Sequence, residues 1–194
     1  MKPTRFEIAI ALIDQKNSED TNTFQVHGLD YSKELLYSQR MTRKLLEFNP
    51  NASKALQIAA RAQHICRWKI PREQYPMDRI GYLKWRETLK KMHAELTADI
   101  LKLVGYDEQF IQRVENIILK KLIKKNEESQ ILEDTICLVF LDYYLEEFAA
   151  KHDDKKIIDI LKKTWIKMSD KGHEAALKLP FSNKSLALVK EAIS

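Results

Sequence analysis

The chain has 194 residues, a formal charge of +5 and only four glycines and five prolines. This length suits one domain with its own core, and scarce glycine and proline beside abundant helix formers favour an all-α protein. We see no apolar run long enough to span a bilayer, no secretory signal and no CxxC motif, so we expect a cytoplasmic protein without a membrane partner, a disulfide framework or a zinc finger.

Apolar periodicity and capping residues in the first half of the chain predict helices separated by a loop and an irregular segment. The predicted order is a helix from Thr4 to Lys16, a loop to Asp30, a helix over 32–48, a helix from Asn51 to Arg67 capped by Asn51, an irregular segment over 69–78, and a long helix capped by Asp78 that ends at Val104 before Gly105.

The second half predicts further helices, among them a strongly apolar one that we expect at the centre of the domain. These helices cover 108–125 after the cap Asp107, then 129–150, 154–168 and 169–179, with a short one after Pro180. We therefore expect a single helical domain over 1–194 with about eight helices. Its core spans about 33–150, and the C-terminal helices over 154–193 pack on that core.

The segment SKALQIAARAQHICR carries the first candidate site. Counting by three places Arg61, His64 and Arg67 on adjoining turns of one flank of the predicted helix, while the rest of its surface is apolar. A buried polar group costs free energy unless it is bound. This flank is therefore expected to face a ligand, a partner or a cleft.

Two more polar residues, Asp134 and His93, are candidates, each with a structural alternative. Asp134 lies within the apolar helix, where an unpaired carboxylate would be costly, so we expect it to face a cation, a histidine or several donors. The structural alternatives are an exposed face shared with Asp142 and a salt bridge in the core. His93 is followed by Glu95 and could act as an acid, a base or a phosphate contact, although a single helical histidine is more often structural.

A stretch of alternating aromatic and basic side chains suggests contacts with a nucleotide base or single-stranded RNA, because such ligands stack on aromatic rings and pair with cations. Aromatic residues at helical spacing are nevertheless more often core. The stretch contains Trp68, Tyr75, Tyr82 and Trp85 interleaved with Arg61, Arg67, Arg72, Arg79 and Arg86.

Four lysines lie near the end of the predicted helix over 108–125. Lys120 or Lys121 is a candidate to point inward, whereas Lys124 and Lys125 are expected to be solvated.

Four segments, in order, resemble the motifs of the HD-domain superfamily of helical, metal-dependent phosphohydrolases. They are YSQRM from Tyr37, AARAQHI ending at Ile65, HAE from His93, and LED ending at Asp134. The segments GYLKWR, KKMHAE, LEDTICLVFLDYY and FAAKHDDKKIIDILKKTW also resemble an uncharacterised family sometimes labelled glutamyl-tRNA synthetase-like. The resemblance implies an HD-like helical bundle.

The same comparison implies an incomplete metal site. Tyr37 stands where the superfamily has its first histidine, and Ile65 stands where it has the metal-bridging aspartate, which leaves His64 and Asp134 as possible metal ligands. A divalent cation needs several converging ligands. We therefore expect a metal-free or weakly metal-binding pocket in which, by the same resemblance, Lys120 or Lys121 lies near the position of the cation.

The leading functional hypothesis is a pocket for a phosphate-bearing ligand, either a nucleotide or an RNA end, and phosphoester hydrolysis is the reaction that the resemblance implies. Its expected residues fall into a polar centre with possible acid–base roles and a surrounding set of ligand contacts. The centre comprises His64, His93, Glu95 and Asp134, and the contacts are Tyr37, Arg61, Arg67, Trp68, Arg72, Arg86 and Lys120. The alternatives are a catalytically inactive binding or regulatory module and an RNA-binding protein.

Overall fold

A computed structural model describes residues 2–121 and 125–194. Within these residues it contains ten α-helices, two short 3-10 helices and one two-stranded antiparallel sheet. The prediction of a mostly helical, all-α protein is confirmed. The predicted count of about eight helices is wrong, because the chain breaks several predicted helices into shorter ones.

The chain divides into two compact units, Met1–Ser129 and Gln130–Ser194. The elements of the first unit are α1 (Arg5–Ser18), β1 (Thr23–Val26), β2 (Leu29–Ser32), α2 (Lys33–Phe48), α3 (Lys54–Arg61), 3-10 helices over Arg67–Lys69 and Arg72–Gln74, α4 (Arg79–Val104), α5 (Glu108–Ile118) and the first residues of α6 (Glu127–Tyr143). Part of the predicted 108–125 helix, including Lys124, lies outside the described residues.

Capping side chains set several of these helix boundaries. Asp78 and Asp107 accept hydrogen bonds from the first turns of α4 and α5, and Gly105 ends α4 in the left-handed region, all as predicted. The predicted cap Asn51 is wrong, because the hydroxyl of Ser53 accepts the hydrogen bond from the backbone N–H of Leu56 instead.

The segment between α1 and α2 contains a β-hairpin where a loop was predicted. Thr23 pairs with Ser32 and Val26 pairs with Leu29, and the turn between them has positive φ angles at His27 and Gly28. Two successive residues with positive φ match the twist of a two-residue hairpin. The hairpin leads directly into α2.

The core of the first unit forms where its helices meet. Helix α1 packs on α2, α3 and α4, and α5 packs on α3 and α4. The contacts bury aliphatic side chains from every one of these helices, which matches the apolar periodicity of the sequence. Among the fully buried ones are Ile13, Met41, Leu45, Leu56, Ile58, Leu101, Ile111 and Ile117.

The second unit contains the rest of α6, followed by α7 (Leu145–Ala150), α8 (Asp154–Trp165), α9 (Asp170–Ala176) and α10 (Asn183–Ile193). The predicted continuous helix over 129–150 is interrupted at Tyr144, which precedes α7. Helix α10 packs on α8 and α7. In the described residues, no helix combines the length and apolar character that crossing a membrane requires.

Candidate active site

His64 lies in a turn, not on the regular helix that the sequence predicted. Helix α3 ends at Arg61, residues 62–66 form turns, and Cys66 takes a left-handed conformation with φ of 55°. The backbone N–H of Cys66 donates to Oδ1 of the fully buried Asn17, 3.1 Å away. This bond from α1 satisfies a buried donor that a longer α3 would have satisfied internally.

The end of α3 separates the three polar residues that the sequence placed on one flank. Arg61 donates to both carboxylate oxygens of Asp14, at 2.6 and 2.5 Å, and to the hydroxyl of Thr42. His64 and Arg67 instead approach Glu34, in the first turn of α2. Each nitrogen of the Arg61 guanidinium thus makes a hydrogen bond within the fold, and the prediction that Arg61 contacts a ligand stays untested.

The residue that approaches His64 is Glu34, which the sequence analysis did not select. Nδ1 of His64 lies 3.2 Å from Oε2 of Glu34, and Nη1 of Arg67 lies 3.7 Å from Oε1. Glu34 is buried at the first turn of α2, where its backbone N–H donates to Oδ2 of Asp20. A buried glutamate so early in a helix looks like an ordinary N-terminal charge in the sequence, so only the tertiary contact identifies it.

Charges and burial hold Glu34 ionised and His64 neutral. Burial alone would raise the pKa of Glu34, but the hydrogen bond and charge of His64 and the charges of Arg67 and Lys33 bring that pKa below its ordinary value. Burial, together with the charges of Arg67 and Lys120, lowers the pKa of His64 despite the opposing effect of Glu34. Because a carboxylate only accepts, the proton of neutral His64 is on Nδ1, and Nε2 is left as the basic nitrogen.

Tyr37 covers one face of the His64 imidazole. The two ring centroids are 3.9 Å apart and the ring planes differ by 10°, so the rings are stacked. Tyr37 follows Glu34 by one helical turn, and α2 therefore fixes both the hydrogen-bonding and the stacking partner of His64. The stack restricts rotation of the imidazole.

His93 of α4 lies beside this pair and is buried. Its ring centroid is 6.0 Å from that of His64, and its Nε2 has no hydrogen-bond partner among the described residues. The backbone of Gln63 hydrogen-bonds the ring, which leaves Nδ1 as the bonded nitrogen. Burial holds the pKa of His93 well below its ordinary value, and the charge that His64 carries when protonated and the charge of Arg67 lower this pKa further, so Nε2 is an unprotonated acceptor.

We call Glu34, Tyr37, His64, Arg67 and His93 the imidazole centre. Lys120, half-buried with φ of 53°, adds a positive charge that acts on His64. The centre thus combines two neutral imidazoles and one carboxylate with two nearby cations.

Other predicted contacts lie outside the centre. Glu95 is exposed, two residues beyond buried His93, and so projects from a different side of α4. Arg72 donates to the backbone carbonyls of Tyr75, Pro76 and Asp78. The prediction that it contacts a ligand stays untested.

The aromatic part of the predicted stretch is divided between core and surface. Trp85 is buried, donates from Nε1 to the carbonyl of Ile70 and lies under the guanidinium of Arg67, 4.8 Å from the ring centroid. Trp68 is half-buried, and the exposed Arg86 lies 5.8 Å from the ring centroid of Tyr82. Trp85 therefore orients Arg67 at the edge of the imidazole centre.

Asp134, in the second unit, accepts hydrogen bonds from residues of that unit. Its Oδ1 accepts from the backbone N–H of Ser169 at 2.8 Å, its Oδ2 accepts from the Ser169 hydroxyl at 2.6 Å, and Gln130 donates to Oδ1. Ser169 in turn caps α9. These bonds satisfy the buried carboxylate with several neutral donors, one of the surroundings predicted for it.

The described residues do not fit the metal site that the HD resemblance implies. No group of three or more His, Cys, Asp or Glu side chains among them is arranged to hold an ion. In the imidazole centre, Nδ1 of His64 is also occupied by Glu34. We therefore derive no step that depends on a metal.

The family comparison matches nearly the whole chain. A family model described as "Domain of unknown function (DUF4202)" matches residues 7–189. No curated protein and no solved structure matches the chain.

Proposed function

Because this chain belongs to the DUF4202 family, whose description states no function, we propose from its own residues that the imidazole centre binds a phosphate-bearing ligand. The observation that carries the proposal is the Glu34–His64 pair beside two cations. The His64 side chain is 23% exposed, and the bond to Glu34 turns its basic Nε2 away from the carboxylate. A ligand that binds Nε2 would leave that bond intact.

The charges around the pair favour an anion. Nη1 of Arg67 lies 3.7 Å from Oε1 of Glu34, and the positive charges of Arg67 and Lys120 lower the pKa of His64 because they repel its protonated form. A phosphate group would offset this repulsion and accept hydrogen bonds from the guanidinium. The buried acceptor on His93 further suits a ligand that carries a hydroxyl, either on its organic part or on a protonated phosphate.

Phosphoester hydrolysis is a second candidate function, and the same pair favours it. Nε2 of His64 would remove a proton from a water molecule, whose oxygen then attacks phosphorus. The bond from phosphorus to the ester oxygen breaks, and the departing alkoxide takes the proton back from His64. Glu34 would orient the imidazole and stabilise its charged form, as a carboxylate does in other carboxylate–histidine pairs. As part of this proposal, we also infer that the fold is HD-like.

Thermal-shift and calorimetric titrations of the full chain test the binding proposal, with inorganic phosphate, AMP and ATP as probes and adenosine as the uncharged control. A ligand at 100 times its dissociation constant stabilises the folded state by about 2.7 kcal/mol. We expect the phosphate-bearing probes to bind and adenosine not to bind. We also expect His64→Gln and Arg67→Gln to weaken binding at least tenfold.

Arg43→Gln is the matched control, because Arg43 is exposed on α2 and outside the centre. No binding of any probe, or equal weakening by Arg43→Gln, would overturn the proposal. Release of inorganic phosphate from p-nitrophenyl phosphate then separates the two candidates. Hydrolysis that disappears in His64→Gln supports an enzyme, and binding without hydrolysis supports an inactive module.

A further inference from the structure

The net positive charge of the chain is concentrated in residues 67–91. This segment contains eight basic and three acidic residues, a formal charge of +5, which equals the charge of the whole chain. The remaining residues carry 25 basic and 25 acidic side chains and are neutral in sum. The segment covers the two 3-10 helices and the first half of α4. A polyanionic partner would therefore be attracted to this part of the molecule.

Three exposed aliphatic side chains project from the same segment. Met77 is 76% exposed, Ile80 is 65% exposed and Leu83 is 54% exposed. They follow one another at intervals of three residues, and the buried side of α4 at this point is formed by Gly81 and Trp85. Side chains that are this exposed protrude from the surface and do not line a groove.

The cations around these side chains are not neutralised locally. Arg79 and Lys84 are exposed, and neither has a carboxylate partner among residues 2–121 and 125–194. Arg79 is also the first residue of α4, whose first turn has no acidic residue, and a cation there opposes the helix dipole. This placement does not favour the helix itself, but it adds to a positive field at the surface.

The segment is held in place before any partner binds. Arg72 donates to the carbonyls of Tyr75, Pro76 and Asp78, which bracket Met77. A Cβ on Gly81 would lie 2.0 Å from the carbonyl oxygen of Pro76, so the loop packs directly against the backbone of α4. The protruding side chains therefore lie on an ordered surface, which lowers the entropy lost on binding.

We propose that Met77, Ile80 and Leu83, with Arg79 and Lys84 beside them, form a docking surface for an anionic lipid bilayer. The aliphatic side chains enter the boundary between headgroups and acyl chains, and the cations contact phosphate and carboxylate groups of the lipids. Single-stranded RNA fits this surface less well because bases stack on aromatic rings, whereas Met77, Ile80 and Leu83 are aliphatic and Trp85 is buried. The exposed aromatic ring of the segment, Tyr82, already lies beside the guanidinium groups of Arg72 and Arg86, 6.0 and 5.8 Å from its centroid. This proposal is independent of the imidazole centre.

Vesicle co-sedimentation of the full chain tests the proposal, with vesicles of phosphatidylcholine alone and vesicles in which phosphatidylserine replaces part of it. We expect binding to the anionic vesicles only, and we expect added salt to weaken it. Both the triple variant Met77→Ser/Ile80→Ser/Leu83→Ser and the double variant Arg79→Glu/Lys84→Glu should lose at least tenfold in binding.

Exposed residues elsewhere provide matched controls. Leu103, Ile166 and Leu177 are 78%, 83% and 54% exposed, and serine at all three removes a similar exposed apolar area. Lys102→Glu/Lys178→Glu makes the same change of charge at exposed sites outside the segment. We expect both control variants to bind anionic vesicles like the unchanged chain.

Three results would overturn the proposal. They are no binding to anionic vesicles, equal loss in the control variants, and binding that depends on the cations but not on the three aliphatic residues. A single-stranded RNA oligonucleotide tested in parallel identifies the alternative. Tighter binding to RNA than to vesicles, unaffected by the triple serine variant, would assign the basic segment to RNA instead. Circular dichroism confirms that each variant is folded.

Discussion

Glu34 and His64, separated by 30 positions in the sequence, meet through a hydrogen bond of 3.2 Å between Oε2 and Nδ1. Helix α2 supplies the carboxylate, and the irregular turn after α3 supplies the imidazole. The bond fixes which nitrogen of His64 carries the proton, and the pair determines the acid–base properties of the imidazole centre.

Glu34→Gln should make the protein less sensitive to acid. The pKa of Glu34 is lower in the folded chain than its ordinary value of 4.5, so its ionised form stabilises the fold above about pH 4.5, and this contribution is lost as the pH falls through the lower, folded-state pKa. Urea unfolding at several pH values should show a smaller loss of stability below pH 4.5 in the variant. Glu95→Gln, at an exposed position on α4 outside the imidazole centre, is the control variant.

His93→Phe should remove part of the loss of stability between pH 7 and pH 5. The folded chain holds His93 neutral with a pKa well below 6.5, whereas the unfolded chain protonates it near that value, so the fold loses stability as the pH falls below 6.5. One such group changes the free energy of unfolding by up to about 1.4 kcal/mol per pH unit. The measurement is the free energy of unfolding in urea at pH 7.5, 6.5 and 5.5.

His152→Gln is the control for this experiment because His152 belongs to the second unit and is not part of the imidazole centre. An unchanged pH slope in His93→Phe would show that the folded chain does not hold His93 neutral.

Arg61→Met should destabilise the fold without a specific effect on phosphate binding. The substitution leaves the carboxylate of Asp14 without its two hydrogen bonds, at a cost of about 2 kcal/mol for a partly buried pair. Asp14→Asn/Arg61→Met should recover part of this loss because it removes both charges. If Arg61→Met weakens phosphate binding as strongly as Arg67→Gln at a temperature where both are folded, Arg61 contacts the ligand after all.

Gly172→Ala should destabilise the second unit, although alanine usually favours a helix over glycine. A Cβ at this position would lie 2.7 Å from Oδ1 of Asp134, and displacing this carboxylate disturbs its bonds to Ser169. We expect a loss of about 1 to 3 kcal/mol, the usual cost of overpacking a buried site. Thermal unfolding of the variant and of the unchanged chain measures this loss of stability.

A double-mutant cycle with Asp134→Ser identifies the cause. The combined variant should lose less stability than the sum of the two single losses, because the shorter side chain makes room for the new methyl group. Strict additivity would show that the contact with Asp134 is not responsible. Lys171→Ala, at an exposed position of α9, should have little effect.

Local sequence signals were sufficient for much of the secondary structure. Asp78, Asp107 and Gly105 mark helix ends through bonds to their own neighbours in the chain, so their effect is visible in the sequence. The cap at Asp78 and the stop at Gly105 were likewise enough to identify the long helix that ends at Val104. The hairpin at His27 and Gly28 was missed because its four-residue strands are too short for a clear alternating pattern.

The sequence by itself determined an all-α protein with a histidine near the end of its third helix as the first place to look for a site. Only the tertiary structure decided what that histidine meets. Asn17 stabilises the turn at Cys66, and this turn directs His64 and Arg67 to Glu34 while Arg61 is bound by Asp14. Helical periodicity describes one helix at a time, whereas these partners come from separate elements that the packing of α1, α2 and α3 brings together.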